Sequence, residues 1–522
     1  MDETDPVADY ALARFGIEYL YPYQRLVIAN VLDSLETPDG GQERQVVILP
    51  TGAGKSLCFQ LPAALCPGPT LVMYPLLGLM ADQQRRLKAS GIAAVVLKGG
   101  MSAAEKDDAF FALQSGAARL ILANPEIVAV PAMVRRLAAA GIHHLVVDEA
   151  HCIAEWGDSF RPAYRLLGDL VQALRPRVVT AFTATASPPI LTRLAEVLFG
   201  GAPYRLVAGM PDRPNIRYEV RPALSMIREL WCALSAVPRP ALVFVRSRAG
   251  SEILAETLKA RLPHIDTRFY HAGLDKEERA EVEAWFMSSG DGLLFATCAY
   301  GMGMDKPDIR SVIHYGPPAS VEAYLQESGR AGRDGGPATA LLIYDVRDGR
   351  ATGDDVTATT PMGPTSAEIS PEAGELAKKR ARQMRDYATS ERGCRRTFLL
   401  SALGYPEAGT VACHGCDRCD GTSMEVAQGT REIQALVRCH PRRFTAAQAS
   451  AFAVGDTHGV EAALRSSMAG WRAEEAQEAI ENAVSAGFIG RIQSGPWKHR
   501  LVHASAVSRA AHHPHLRHRR VR

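Results

Sequence analysis

Two series of short apolar runs, each alternating with helix-like segments, constrain this 522-residue chain more than any other feature. From Val46 to about Ala186 the runs VVIL, TLVMYP, RLILA, HLVVDEA and VVTAFTATA are separated by stretches such as LMADQQRRLKAS. Runs without a polar face suit the strands of a parallel sheet covered by helices on both sides. The pattern restarts at ALVFVRS and continues through TRFYHAG, GLLFATC, SVIHYG and TALLIYD to about Asp345. The expectation is an α/β architecture of two tandem parallel-sheet lobes, residues 1–208 and 209–346, joined by an extended connector from Pro211 to Pro222.

Past the second lobe the character changes. Residues 347–371 are rich in Gly, Pro, Thr and Ser and read as loop. The basic helical stretch LAKKRARQMRDYA then leads into a cysteine cluster, giving a linker and helical zinc-binding module over 347–424. Residues 425–508 read as a winged-helix-like domain: an amphipathic helix, a glycine, then two short strands around SGPWKH. The basic end, 509–522, reads as a disordered tail.

Lys plus Arg (59) nearly equal Asp plus Glu (57), so a polyanion would have to be bound in a local groove. No run of 18 apolar residues is present, so no membrane partner is expected. The acidic start MDETDPVADY lacks the basic and apolar regions of a secretory signal, which implies the cytoplasm.

LPTGAGKS, residues 49–56, lies between an apolar strand and a helix, the context of a phosphate-binding loop. Thr51, Gly52, Ala53 and Gly54 would cradle phosphate with backbone N–H groups, Lys55 would neutralise the β- and γ-phosphates of ATP, and Ser56 would ligate Mg²⁺. Asp148 and Glu149, after the LVV strand, supply a metal ligand and a water-polarising base. Gln24, with Tyr21 or Tyr23, offers an amide and a ring for adenine. In the second lobe Gln326, Arg330 and Arg333 sit in YLQESGRAGRDG, where arginines can counter charge in phosphoryl transfer and interleaved glycines bring backbone close to a ligand. TCAYGMGMDKPDIR, with Asp305 and Lys306, is expected to couple the lobes. Trp156, Phe160 and Arg161 follow the carboxylate pair closely and would let a base-stacking loop sense nucleic acid beside the nucleotide.

Among ten cysteines, Cys394, Cys413, Cys416 and Cys419 form a set whose CHGCDRC spacing suits tetrahedral Zn²⁺. His414 competes with Cys413 as a ligand. Four protein ligands imply a structural site. Trp497 with Lys498, His499 and Arg500 either meets nucleic acid or closes a small core.

LPTGAGKS, YPLLGLMADQ, DEAH, TATA, YHAGL, TCAYGMGMDKPDIR and QESGRAGRDG stand in the order found in superfamily 2 helicases, and their wording resembles RecQ-family DNA helicases over about residues 10–420. The resemblance implies two RecA-like lobes, ATP-dependent 3′-to-5′ translocation on single-stranded DNA, unwinding of partial duplexes, and a monomer that works with DNA repair proteins in the bacterial cytoplasm or nucleoid. CIAEWGDSFRP is similar to the RecQ loop that couples DNA binding to hydrolysis, and it departs from many members at Asp158 and Ser159, where they carry His then Asp. The chain ends soon after the winged-helix-like segment, so the resemblance predicts no C-terminal HRDC domain. The alternatives are a superfamily 2 RNA helicase and a nonmotor DNA-binding or strand-annealing protein with an ATP switch.

Overall fold

The structure, a computed structural model, describes residues 5–36, 41–50, 52–66, 68–156, 162–301, 306–348, 371–405, 407–455, 468 and 470–505. Seven parallel strands form the first sheet: β1 (Glu43–Ile48), β2 (Thr70–Met73), β3 (Ala94–Leu97), β4 (Leu120–Ala123), β5 (His144–Val147), β6 (Val178–Thr183) and β7 (Arg205–Ala208), in the order β3-β4-β2-β5-β6-β1-β7. Central strands are buried on both faces. In β1, Val46 and Ile48 enter one apolar core while Val47 enters the other. The same alternation in β5 sends Leu145 and Val147 one way and Val146 the other. β3 and β7 were not among the expected strands. They are the two edges: β7 starts on Arg205 and is mostly exposed, whereas β3 is itself a short apolar run, AVVL, that the sequence reading passed over.

The second sheet has six parallel strands, β8 (Ile216–Ala223), β9 (Ala241–Phe244), β10 (Thr267–Tyr270), β11 (Leu293–Ala296), β12 (Ser311–Tyr315) and β13 (Ala338–Asp345), ordered β10-β11-β9-β12-β13-β8. The expected connector from Pro211 to Pro222 is thereby corrected: it ends in a turn over 214–215, and the rest is β8. Ile216, Tyr218 and Val220 alternate inward from this edge strand, and an edge tolerates Pro222, which has no N–H to give.

The cysteine-bearing module is welded to that edge. Tyr218 bridges Cys416, and Asp417 accepts from the backbone N–H of Val220 (3.0 Å) and from buried Arg395 (3.0 Å). Arg396, almost without solvent exposure, pairs with Asp212 and donates to the Ile216 carbonyl (2.7 Å). Met384, Tyr387 and Leu399, from the helices Pro371–Thr389 and Arg395–Ala402, share one core with the second sheet.

Helices Thr430–Cys439, Ala446–Ala453 and Ala473–Ser485 and the antiparallel hairpin β14 (Ile489–Arg491) and β15 (Leu501–His503) form a further unit. Its core includes Leu224 and Val346 of the second lobe. Glu475, buried, meets Arg228 (3.8 Å) and Arg261, Ser225 donates to Glu478 (2.5 Å), and Asn482 donates to the Leu224 carbonyl (2.8 Å). The tail from 506 onward lies outside the described residues.

Candidate active site

β1, β5 and β6 are neighbours around the point where strand order reverses, so the loops at their C-terminal ends converge on a crevice, the usual ligand position in an open α/β sheet. After β1 the chain turns through Gly52 (φ 87°) and Gly54 (φ 72°) into the helix Leu57–Leu65. A side chain at Gly54 would clash: a Cβ there would lie 2.5 Å from Gln24 Nε2. Lys55 is half-buried beside Ser56 and donates to the Leu49 carbonyl (3.2 Å), while Thr51 lies outside the described residues. Buried Gln24 accepts from the Tyr21 N–H (2.9 Å) and donates to the Ala53 carbonyl (3.1 Å), so its amide braces the phosphate loop. Tyr21 and Tyr23 stack on each other with ring centroids 5.4 Å apart, and Tyr21 is exposed.

Asp148 and Glu149 follow β5. Glu149 takes a left-handed backbone (φ 50°), a conformation that a non-glycine residue adopts at some cost and that often marks a functional turn. Its N–H donates to Asp148 Oδ1 (3.0 Å), and the next N–H, of Ala150, donates to Phe182 at the end of β6 (2.7 Å). Burial, with the neighbouring Glu149 charge, pushes the Asp148 carboxyl up to about 7 against the pull of Lys55. Burial also opposes the Glu149 charge, but Lys55, His151, Arg330 and Arg333 together outweigh it and hold that carboxyl below its ordinary value. Those two arginines belong to the second lobe, so the structure brings Lys55, Asp148, Glu149, Arg330 and Arg333 to one cleft.

Arg330 is buried, and burial together with Arg333 lowers its guanidinium to about 10. The turn that carries the arginines is held from below: Arg213 donates to the carbonyls of Gly329 (3.1 Å), Ala331 (3.2 Å) and Gly332 (2.7 Å), and Asn215 to those of Gly332 and Gly336 (both 2.8 Å). Sequence reasoning missed these two braces because they lie in the stretch read as connector. Gln326 is half-buried on the helix Val321–Ser328 that leads into the turn. Lys306 does not serve as expected. It is buried within the second lobe, donates to the carbonyls of Met287 (3.3 Å) and Ser289 (2.8 Å), and so caps the helix Lys276–Ser288; Asp305 lies outside the described residues.

His151 adds a contact that sequence reasoning left unused. Its Nδ1 lies 3.4 Å from Glu149 and 3.0 Å from the Thr183 hydroxyl, which donates to the Thr185 carbonyl (2.9 Å). The acidic motif is thus tied to TATA through one imidazole. Glu149 Oε2, the oxygen that faces His151, is buried and makes no hydrogen bond among the described residues. An acceptor left open in a cleft that also holds a lysine, a second carboxylate and two arginines fits a magnesium-bound triphosphate and its attacking water.

The second constellation is compact. The Sγ atoms of Cys394, Cys413, Cys416 and Cys419 all lie within 4.8 Å of one another, as four thiolates around one zinc ion require, and this set uses Cys413 rather than His414. Although burial opposes its ionisation, hydrogen bonds from Thr397 and the neighbouring thiols bring Cys394 down to about 7. Burial and the neighbouring thiols push Cys413 and Cys419 the other way, and the form that a metal takes is the thiolate. For the nucleic-acid loop the structure gives only its beginning. Trp156 ends the short helix Cys152–Trp156, whereas Asp158, Ser159, Phe160 and Arg161 lie outside the described residues. Trp497 is half exposed in the turn between β14 and β15, with Lys498, His499 (φ 68°) and Arg500 beside it.

Two RecA-like lobes closing on a phosphate loop and a paired carboxylate define the class of two-lobed helicase folds. Three family profiles match in succession: DEAD/DEAH box helicase over residues 21–193, helicase conserved C-terminal domain over 223–335, and RecQ zinc-binding over 354–420. The chain belongs to the RecQ family. It is 34% identical over 375 residues to the ATP-dependent DNA helicase RecQ of Pasteurella multocida, covering 72% of this chain and 57% of that one. To the probable ATP-dependent DNA helicase RecS of Bacillus subtilis it is 35% identical over 344 residues, covering 65% and 66%. The chain therefore spans little more than half the length of the first of these relatives. Among solved structures, the DEAD-box helicase Mss116 bound to ssRNA and UDP-BeF superposes with a TM-score of 0.53 at 16% identity, covering 77% of this chain and 90% of that one, a likeness of fold. No described helix is long and apolar enough to cross a membrane.

Proposed function

We propose that the chain is an ATP-dependent DNA helicase that couples hydrolysis to 3′-to-5′ movement along single-stranded DNA and to duplex unwinding in repair or recombination. The observation that carries this reading is the convergence of Lys55, Asp148 and Glu149 from one lobe with Arg330 and Arg333 from the other. Lys55 and the N–H groups of residues 51–54 bind the β- and γ-phosphates. Ser56 and Asp148 would hold Mg²⁺, which would supply positive charge to neutralise the phosphates. Glu149 orients the attacking water and takes its proton, Arg330 and Arg333 counter the charge that develops on the transferred group, and Gln326 lines the same side. Gln24 and a tyrosine beside it recognise adenine. Because the cleft is built from both lobes, turnover moves one lobe against the other.

Trp156, Phe160 and Arg161 report DNA to the carboxylates that precede them. Four cysteine thiolates hold zinc as a structural brace. Residues 425–508 act as a winged-helix-like domain whose helix Ala473–Ser485 buries Glu475 and Asn482 against the second lobe, which leaves the Trp497 hairpin as its face toward nucleic acid. The chain works as a monomer in the bacterial cytoplasm, with other repair proteins as partners. Displacement of a labelled strand from duplexes bearing a 3′ or a 5′ single-stranded tail tests the proposal, with Lys55→Ala as blank. ATP-dependent displacement from the 3′-tailed duplex alone is expected. Displacement from neither, by a preparation that binds DNA and ATP, would favour a nonmotor DNA-binding protein with an ATP switch.

A further inference from the structure

Outside the cleft chemistry, one buried carboxylate joins three parts of the molecule. Ser187 stands at the start of the helix Pro188–Phe199, just beyond TATA, in the position where a serine usually caps its own helix. Here it makes no such cap bond. Pro188 and Pro189 occupy the first two helical positions and lack N–H groups, which leaves the Ile190 N–H as the one cap donor in that turn, and the hydroxyl does not take it. The hydroxyl instead donates across the lobe boundary to Glu322 Oε1 (2.5 Å). Ser187 and Glu322 are 5% and 3% exposed, so water does not compete for the bond.

The other oxygen of Glu322 accepts from Arg380 Nε (3.4 Å), and Arg380 also donates to the Ser320 hydroxyl (2.9 Å). Arg380 lies on the basic helix Pro371–Thr389 that leads into the cysteine cluster. Glu322 begins the helix Val321–Ser328, and the far end of that helix runs directly into Arg330 and Arg333. On the first-lobe side, Ser187 is two residues beyond Thr185, whose carbonyl accepts from Thr183, the partner of His151. The contact therefore ties the lobe that holds Glu149 to the helix that delivers the arginines, and both to the zinc module. A further touch supports the same junction: at Gly404 of the zinc module, a Cβ would lie 2.7 Å from Pro188.

We propose that Ser187 and Glu322 form a latch across the lobe boundary, with Glu322 as a positioning residue that keeps the second-lobe arginines within reach of the nucleotide cleft. The proposal rests on the ATPase reading of that cleft. A latch of this kind raises the fraction of molecules in which both lobes can meet ATP, and breaking it lowers apparent affinity by that fraction without altering chemistry in the closed form.

The test is ATP turnover and fluorescent mant-ATP binding in the full chain, for wild type, Ser187→Ala, Glu322→Gln and the double variant. Ser187→Ala removes a hydroxyl that caps nothing, so its melting temperature should stay within about 2 °C of wild type. Its KM for ATP and its mant-ATP Kd should both rise about three- to tenfold while kcat stays within about twofold. The double variant should be no worse than Glu322→Gln, because the two side chains act through one contact. Unchanged KM and Kd in Ser187→Ala, with an active wild type, would overturn the latch alone. So would a fall in kcat together with melting temperature, the mark of a merely structural contact. A wild type that neither binds mant-ATP nor hydrolyses ATP would overturn the reading of the cleft itself.

Discussion

The nucleotide cleft and the junction between the zinc module and the second lobe both bury charge, yet they treat it in opposite ways. At the junction each buried charge meets an opposite one: Asp417 is met by Arg395 and by the Val220 N–H, and Arg396 by Asp212 and two carbonyls, with its Nε alone lacking a hydrogen bond among the described residues. In the cleft, Glu149 Oε2 faces His151 at 3.4 Å without a hydrogen bond, and among the described residues Lys55 donates only to a main-chain carbonyl of its own loop. Buried charge that is paired with opposite charge at close range fixes one arrangement, whereas buried charge whose counter-charges stand further off stores a demand that a ligand can meet. The difference separates the part that holds the molecule together from the part that works.

Breaking the closed side should cost most in stability. Cys416→Ser removes a zinc ligand and should forfeit part of a binding free energy that is about 10 to 16 kcal/mol in zinc-finger peptides, seen as a lower melting temperature and loss of bound zinc. On the open side, Lys55→Ala should lower ATP turnover by about a thousandfold or more, near 4 kcal/mol of barrier, with a melting temperature like that of wild type. Asp417→Asn sharpens the contrast: it leaves Arg395 buried without a counter-charge and should destabilise the fold by about 3 kcal/mol in urea unfolding, while Glu149→Gln should lose turnover with a smaller change in stability. The smallest effect is expected from Trp156→Ala, which should retain basal ATPase but lose about 1 to 3 kcal/mol of stacking on DNA and with it most of the stimulation that DNA gives. Equal loss of basal and stimulated rates would contradict a sensing role.

Much of the cleft was legible because its chemistry is written in contiguous motifs. A glycine-lysine turn after an apolar strand, and two carboxylates after another, specify local backbone that needs little help from the rest of the chain. The cysteine set was legible for the same reason, since a metal demands fixed ligand types at short spacing. The central strands announced themselves by being apolar on both faces, whereas edge strands β7 and β8 did not, because solvent on one side permits polar residues there; β3, AVVL, is apolar and too short to stand out beside its neighbours. What stayed hidden depends on contacts across long stretches of sequence. Nothing in PDRPN reveals that Arg213 and Asn215 brace a turn more than a hundred residues later, nor in TATAS that Ser187 reaches Glu322. Lys306 shows the converse error: a lysine in a glycine-rich motif suggested a link between the lobes, but its ammonium is taken by Asp308 and by carbonyls at a helix end within its own lobe.

A machine that senses nucleic acid and nucleotide together must hydrolyse ATP at a rate set by its nucleic acid, and hydrolysis measured without nucleic acid, with single-stranded DNA and with single-stranded RNA of matched length reads that dependence. Lys55→Ala provides the blank. Strong stimulation by DNA, weaker or none by RNA, and no hydrolysis in the variant are the predicted results. Stimulation by RNA equal to or above that by DNA, or hydrolysis indifferent to both, would contradict the account.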